Sequence, residues 1–347
     1  MKKALLALAA VATLAATAGC STSPSASAGP GGTLRLGYFA NVTHATPVIG
    51  VERGTYATRL GPTRLETQVF NAGPAAVEAL FAGAIDATYI GPNPAINAYV
   101  RSKGSALRIV AGATSGGAAL VVKPGITSAN DLRGKTVATP QLGNTQDVAL
   151  RAWLESNDLH TDPQTGGDVT IAPSENATTL ELFRKGDVAG AWLPEPWASR
   201  LVLEGGAEVL VNEKDLWPGG QFVTTHLVVA TKFLDKNPGI VKRLLEAHVE
   251  TTAWIDANAA EAKTTVNAAL EKLTQKALPG PVLDRAFAEL TITNDPVAAS
   301  LATSAAHAVK AGLLDEPDLA GIYDLRLLNE VLTATGAAPV ANAGLGS

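Results

Sequence analysis

From Thr33 onward, short alternating or apolar runs recur between longer stretches of helical periodicity. The spacing predicts strands at Leu34 to Tyr38, Leu65 to Phe70, Ile85 to Ile90, Arg108 to Ala111, Ala119 to Val122, Thr136 to Thr139, Val169 to Ala172, Ala189 to Leu193, Glu208 to Val211 and Phe222 to Ala230. Gly83, Gly104, Gly186 and Gly205 close several of the intervening helical patterns, as expected of a residue that tolerates a left-handed cap. Strands alternating with helices argue for α/β layers with mainly parallel sheets. After Lys232 the strands stop. Pro238 to Ala260, Glu261 to Lys276, Pro281 to Leu290, Pro296 to Gly312 and Leu319 to Thr335 read as helices, and Ala337 to Ser347 as a loose tail.

A repeat runs through the first two thirds at a constant offset of 102 residues. Leu80-Phe81 returns as Leu182-Phe183, Pro92-Asn93-Pro94 as Pro194-Glu195-Pro196, and Thr43, Val69 and Ala75 fall on Thr145, Ile171 and Ala177. Two α/β segments of similar rhythm always slide into some partial match, so the offset suggests two lobes of like construction without requiring them.

Composition fits that picture. Of 347 residues, 46% are hydrophobic and 17% charged, which excludes wholesale disorder and collagen-like sequence and allows a large core of about two domains. The net charge of −5 becomes two units more negative once a leader carrying Lys2 and Lys3 is removed, and no basic stripe marks a nucleic-acid partner.

The leader runs from those two lysines through an apolar stretch to Thr17-Ala18-Gly19-Cys20. It reads as an export signal, because the uncharged span Ala4 to Gly19 falls short of the ~20 residues of a bilayer-spanning helix. Residues 21–32 are Ser-, Pro- and Gly-rich and read as a flexible tether. Cys20, the only cysteine, stands at the junction of the two, where a buried structural thiol has no place. The segment resembles a bacterial lipoprotein signal with Cys20 as the lipidated residue, although Thr17 replaces the usual Leu. Acyl chains there would hold the body at the outer face of the cell membrane.

Polar residues collect in four turns, each after a predicted strand and before a helix: Asn41-Val42-Thr43-His44, Asn71-Ala72-Gly73-Pro74, Gly91-Pro92-Asn93-Pro94 and Gly143-Asn144-Thr145-Gln146-Asp147. Side chains there can simply cap the helices. The carboxyl ends of parallel strands are also where α/β sheets bind ligands, and helix starts favour an anion. Neither these turns nor Thr114-Ser115-Gly116-Gly117, Pro140-Gln141-Leu142 and Pro194-Glu195-Pro196-Trp197 contain Lys or Arg. A phosphate usually attracts such cations, whereas neutral donors suffice for a monoanion such as a sulfonate.

Trp192 is expected in the core and Trp197 nearer the opening. Glu195 would either accept an ammonium group or cap its own helix. Of the five histidines, only His44 and His226 lie near such turns or a chain crossover. The usual phosphate-loop, zinc-protease and serine-hydrolase motifs are missing, and no metal-ligand spacing is present.

Taken together, Leu36-Gly37-Tyr38-Phe39, Phe70-Asn71-Ala72-Gly73, Asp86-Ala87-Thr88-Tyr89-Ile90-Gly91-Pro92-Asn93-Pro94, Trp192-Leu193-Pro194-Glu195-Pro196-Trp197 and Thr225-His226-Leu227 resemble the solute-binding lipoproteins of ABC importers that serve aliphatic sulfonates, taurine and nitrate. The resemblance implies a two-lobed type II periplasmic binding fold with two crossover strands, placed near Leu120 to Lys123 and Thr225 to Val229. Lobe one would comprise 33–119 and 228–347, and lobe two 120–227. It further implies a monomer without cofactor, working with a membrane permease and its ATPase. The ligand's acid group would meet Asn41, Thr43, His44, Asn71, Gly73, Asn93, Ser115, Asn144, Thr145 and Gln146, with Gln141, Glu195, Trp197 and His226 as further candidates. Absence of a basic residue favours an organosulfonate over nitrate. A pyrimidine vitamin precursor or a flavin is the other solute in view. Pyrimidine-synthesising enzymes share the fold but need a Cys-rich iron site, which a sole Cys at the anchor cannot supply.

Overall fold

The structure, a computed structural model, describes residues 31–163 and 166–346. The leader, Cys20 and most of the tether lie outside the described residues. Among the described residues no helix is long and apolar enough to cross a membrane.

Two sheets organise the chain. In chain order the strands are β1 (Thr33–Phe39), β2 (Arg64–Phe70), β3 (Ala87–Ile90), β4 (Leu107–Gly116), β5 (Ala118–Val122), β6 (Thr136–Thr139), β7 (Thr161–Asp162), β8 (Gly166–Gly167), β9 (Thr170–Pro173), β10 (Gly190–Pro194), β11 (Glu208–Asn212), β12 (Val223–Ala230) and β13 (Leu290–Ile292). One sheet runs β13-β4-β12-β3-β1-β2 and the other β11-β5-β10-β6-β9, with β7 and β8 as a separate small hairpin. In each, three parallel strands (β2-β1-β3 and β9-β6-β10) continue into antiparallel ones. The sheets are therefore mixed rather than mainly parallel. The crossover strands enter against the direction of the cores, which strand–helix rhythm alone does not reveal.

The two cores are built alike. β1, β2 and β3 of the first sheet take the positions that β6, β9 and β10 take in the second, and the antiparallel neighbour of β3 is β12 while that of β10 is β5. The offset of 102 residues joins these equivalents, so the sequence repeat is carried by the architecture. In each sheet the first strand after a passage, β5 or β12, lies antiparallel beside the parallel core.

The chain leaves the first sheet at Gly116 and Gly117, whose φ values of 74° and 75° lie in the left-handed region that favours glycine. It returns through 213–222 into β12. Thr225, His226 and Leu227, expected in the second lobe or at its edge, instead pair with β3 and β4 of the first sheet. Both passages thus lie earlier than the apolar strands that drew attention to them.

Strand alternation sends neighbouring residues into opposite cores of the second lobe. Val121, Ala191 and Leu193 pack on one face with Phe183, while Leu120, Val122 and Trp192 pack on the other with Leu150 and Leu154. Phe183 is fully buried, so Phe183→Ala would cost about 3–5 kcal/mol.

The C-terminal helices Pro238–Ala257, Ala259–Thr274, Gly280–Ala288, Ala299–Lys310 and Arg326–Ala334 fall where periodicity places them. Two expectations fail there. β13 is a strand beyond Lys232, held by three pairings to β4, too short to show a period. The tail is tied down: Asn329 accepts from the Val340 amide at 2.8 Å and donates to its carbonyl at 3.1 Å, and the Tyr323 amide donates to Leu345 O at 3.2 Å.

Candidate functional site

The turns that follow β1, β2, β3, β6 and β9 converge between the lobes. They and β12 enclose a pocket lined by Phe39, Asn41, Thr43, His44, Asn71, Gly91, Asn144, Thr145, Gln146, Asn176, Pro194, Thr224 and Thr225. Its free volume is about 20 Å³, little more than one water needs, so a solute's acid group fits here only as the walls from the two lobes move apart and close again round it. Interlobe hydrogen bonds run from Trp197 Nε1 to Asn41 Oδ1 at 2.9 Å and from Asn71 Nδ2 to Glu175 Oε1 at 2.7 Å.

The helix starts are not capped by the side chains nearest them. Asn41, which precedes the short helical turn Val42–His44, and Asn144, which precedes the helix Thr145–Glu155, make no cap hydrogen bond, and neither do Ala72, Gly91 or Glu175 at three further helix starts. First-turn amides lack intrahelical acceptors, so these turns present donors to the cleft, apart from the Thr43 amide, which donates to the Glu195 carbonyl at 3.4 Å. The capping explanation for Asn41 and Asn144 does not hold. Asn41 instead accepts from Trp197, and Asn144 Nδ2 donates to Gln146 Oε1 at 3.1 Å.

Fixed partners set the turns. Thr43's carbonyl accepts from Thr114 Oγ1 at 2.6 Å and Thr225 Oγ1 at 3.1 Å, which holds the Asn41–His44 turn against β4 and β12. Asp147, fully buried, accepts from Thr139 Oγ1 and the Gly143 amide, both at 2.9 Å, and from Arg151 Nε at 3.2 Å. That acid is compensated behind the helix start rather than facing the pocket.

His44 is neutral. Its ring stacks on Phe39 at 4.3 Å, and Nδ1 accepts the Phe39 amide at 3.3 Å, which leaves the proton on Nε2. Burial pushes its pKa down to about 3. The pocket therefore holds no formal charge, and its donors are amides, hydroxyls and one imidazole N–H. Two buried oxygens in its wall, Thr145 Oγ1 and Asn176 Oδ1, have no hydrogen-bond partner, which buried polar atoms rarely tolerate.

Seven of the sequence-derived residues meet in this pocket: Asn41, Thr43, His44, Asn71, Asn144, Thr145 and Gln146. Gly73 opposes Asn144 across the cleft, where an added Cβ would lie 3.2 Å from Asn144 Oδ1.

The others are placed elsewhere. Asn93 Nδ2 donates to Ser304 O at 2.9 Å, and the Gln141 carbonyl closes its own turn on the Asn144 amide at 3.0 Å. Ser115 lines a separate cavity behind the crossover with Lys214 and Glu289. His226 is buried with Nε2 3.0 Å from Pro296 O, on the far side of β12 from Thr225. Glu195 caps its own helix, accepting from the Ser199 amide at 3.1 Å, and burial raises its pKa to about 7. Trp192 is in the core, donating to Glu213 Oε2 at 2.7 Å, and the half-buried Trp197 borders the opening.

Six pocket residues were not among the candidates: Phe39, Gly91, Asn176, Pro194, Thr224 and Thr225. A register shift in β12 between Val223 and Thr225 lets Thr224 and Thr225 both reach the pocket, where regular alternation would have admitted one. Asn176 opens the helix of the second lobe that corresponds, at the 102-residue offset, to the helix opened at Gly73 and Pro74.

The profile of the NMT1-like family matches residues 27–270. The chain belongs to the NMT1-like family. Among relatives, the taurine-binding periplasmic protein of Escherichia coli is 26% identical over 196 residues, 56% of this chain and 58% of that protein. Among solved structures, the alkanesulfonate-binding protein SsuA of Xanthomonas axonopodis pv. citri bound to MOPS superposes with a TM-score of 0.69 at 22% identity, covering 82% of this chain and 94% of that one. The periplasmic nitrate-binding protein NrtA of Synechocystis PCC 6803 does so with a TM-score of 0.74 at 19% identity, covering 87% and 88%. These neighbours establish that this NMT1-like chain has the two-lobed periplasmic binding fold.

Proposed function

We propose that this chain is the extracytoplasmic solute-binding subunit of an ABC importer and captures an organosulfonate between its lobes. The observation that carries this reading is the convergence of uncapped helix starts on a pocket without formal charge, in which the Thr145 hydroxyl has no partner and can donate to an anion's oxygen. A sulfonate brings three acceptor oxygens and one negative charge spread over them. Amides, hydroxyls and the His44 Nε2–H match those acceptors, and the helix starts favour the charge. A phosphate would leave more charge than these neutral donors offset. The taurine-binding relative supports the same class.

The chain acts by binding alone. Ligand closes the lobes, and the closed form delivers its cargo to a permease and ATPase carried by other chains. Cys20 carries lipid and holds the protein at the outer face of the membrane, so Cys20→Ser should move it to the soluble fraction, and retention in the membrane fraction would refute the anchor.

Thermal denaturation with a panel of alkanesulfonates, taurine, nitrate and phosphate tests the solute. A cognate sulfonate at 100 times its Kd should add about 2.7 kcal/mol of stability. A clear shift with nitrate or phosphate and none with any sulfonate would overturn the reading.

A further inference from the structure

Glu195 lies in the seam between the lobes. It follows β10 and precedes the second-lobe helix Trp197–Gly205, which packs on the first-lobe helix Gly280–Ala288. Its backbone touches both sides of the seam. The amide donates to Gly117 O at 2.9 Å, where the chain passes between the sheets, and the carbonyl accepts from the Thr43 amide of the first lobe at 3.4 Å. The carboxyl is buried, the residue being only 2% exposed, and accepts from the Ser199 amide at 3.1 Å.

The charges facing this carboxyl come mainly from the first lobe. Arg285, on the helix Gly280–Ala288, lies close enough to attract it, yet the buried Nε of that arginine has no hydrogen-bond partner. Glu289, just beyond the same helix, repels it and is itself held by Asn212 at 2.8 Å and Lys214 at 3.1 Å. On the carboxyl's own helix, Arg200 is bound to Glu204 at 2.8 Å. His44, next to Thr43, is neutral. Desolvation therefore outweighs the attraction, and the carboxyl is held up at about 7. When the two helices part, water reaches the carboxyl and the penalty for its charge is lifted, so it returns toward the ordinary value of 4.5.

Resting on the sulfonate reading of the cleft, we propose that solute capture is coupled to protonation of Glu195. Its carboxylate takes a proton from solvent as the lobes close and returns it as they open. Because the closed form holds that proton more tightly, the coupling strengthens binding at low pH and is lost as pH rises through 7. Acidic surroundings favour capture and alkaline ones release. His44 works in the opposite sense if opening wets its ring, since closure then expels a proton below pH 6.5. The contribution of Glu195 is therefore read by difference.

Calorimetric titration of the mature protein with methanesulfonate and butanesulfonate, anions whose charge is constant from pH 5 to 8, counts the protons when repeated in buffers of different ionisation heat. At pH 6 the parent should take up about one proton more per bound solute than Glu195→Gln, which keeps the shape and an acceptor for the Ser199 amide but does not titrate. His44 is common to both proteins and cancels. The ratio of parent to variant affinity should fall about twentyfold between pH 5.5 and 7.5. Arg285→Met, which removes the attracting charge, should move the parent's loss of affinity to higher pH and gives an independent reading if Glu195→Gln does not fold. Equal proton counts and a constant ratio, or an unmoved pH profile in Arg285→Met, would overturn the coupling while leaving the sulfonate function intact. Binding of neither sulfonate at any pH would overturn both.

Discussion

Gly91 of the first lobe faces Thr145 of the second so closely that a Cβ on the glycine would lie 2.1 Å from the threonine Oγ1. Gly91 has φ −72° and ψ 165°, which alanine adopts freely, and the next contact its Cβ would meet beyond Thr145 is 3.5 Å away. The glycine is needed for the approach of the two lobes and not for its own backbone.

Gly91→Ala should therefore fold normally and fail to close. We expect an unliganded melting temperature near that of the parent, a loss of ligand affinity of at least tenfold, and no compaction by small-angle scattering when ligand is added. Gly91→Ala combined with Thr145→Ser, which keeps the hydroxyl but removes the methyl, should recover little, whereas Gly91→Ala with Thr145→Ala should recover compaction. A Gly91→Ala protein that compacts on ligand like the parent would contradict the contact.

Asn144 separates binding from capping. Because it makes no cap hydrogen bond, Asn144→Ala should cost the unliganded protein less than the ~1 kcal/mol usual for a lost N-cap. Ligand binding should weaken by about 1–3 kcal/mol, the range for a polar group left without its partner. Urea denaturation and calorimetry on the same variant decide the matter. A large loss of stability with unchanged affinity would make Asn144 a structural residue.

Stability should peak near pH 6.5. The fully buried His44, His226 and His248 have pKa values pushed down by burial, to about 3, 4 and 4. Below pH 6.5 the unfolded chain takes up protons at these sites that the folded one refuses, so stability falls as pH drops, by about 1.4 kcal/mol per unit for each histidine. Glu195 and Glu213 act oppositely, because burial raises both to about 7. Their folded forms hold protons that the unfolded chain releases above pH 4.5, so their contribution declines as pH rises from there to 7.

The three histidines outweigh the two acids between pH 4.5 and 6.5, and only the acids titrate just above it. Urea denaturation from pH 4 to 8 should show the maximum, and Glu213→Gln should flatten the upper limb. Stability rising steadily as pH drops from 6.5 to 4.5 would be incompatible with neutral buried histidines.

The central strands were legible because burial on both faces leaves unbroken apolar runs such as Leu120-Val121-Val122. The second-lobe turn Asn144-Thr145-Gln146 was legible because a polar cluster after a predicted strand and before a predicted helix has few other uses. His226 misled because its position on β12 was visible but not its facing: alternation turns it from the cleft that Thr225 reaches. Thr224 was hidden by a register shift that no local pattern announces. Gly91 and Pro194 contribute little side-chain chemistry, and their role comes from approach between segments far apart in the chain. Composition could not place Leu270 and Leu278 beside Trp197, since they reach the cleft only through the packing of the C-terminal helices.

Both described ends of the chain belong to one jaw. β1 opens the first sheet, and Tyr323 clasps residues 345 and 346 back onto that same body. The second jaw is an excursion that departs at Gly117 and rejoins at Val223. Any pull applied to the chain ahead of Gly31 would therefore load the first jaw directly and reach the second only through the two passages that join them.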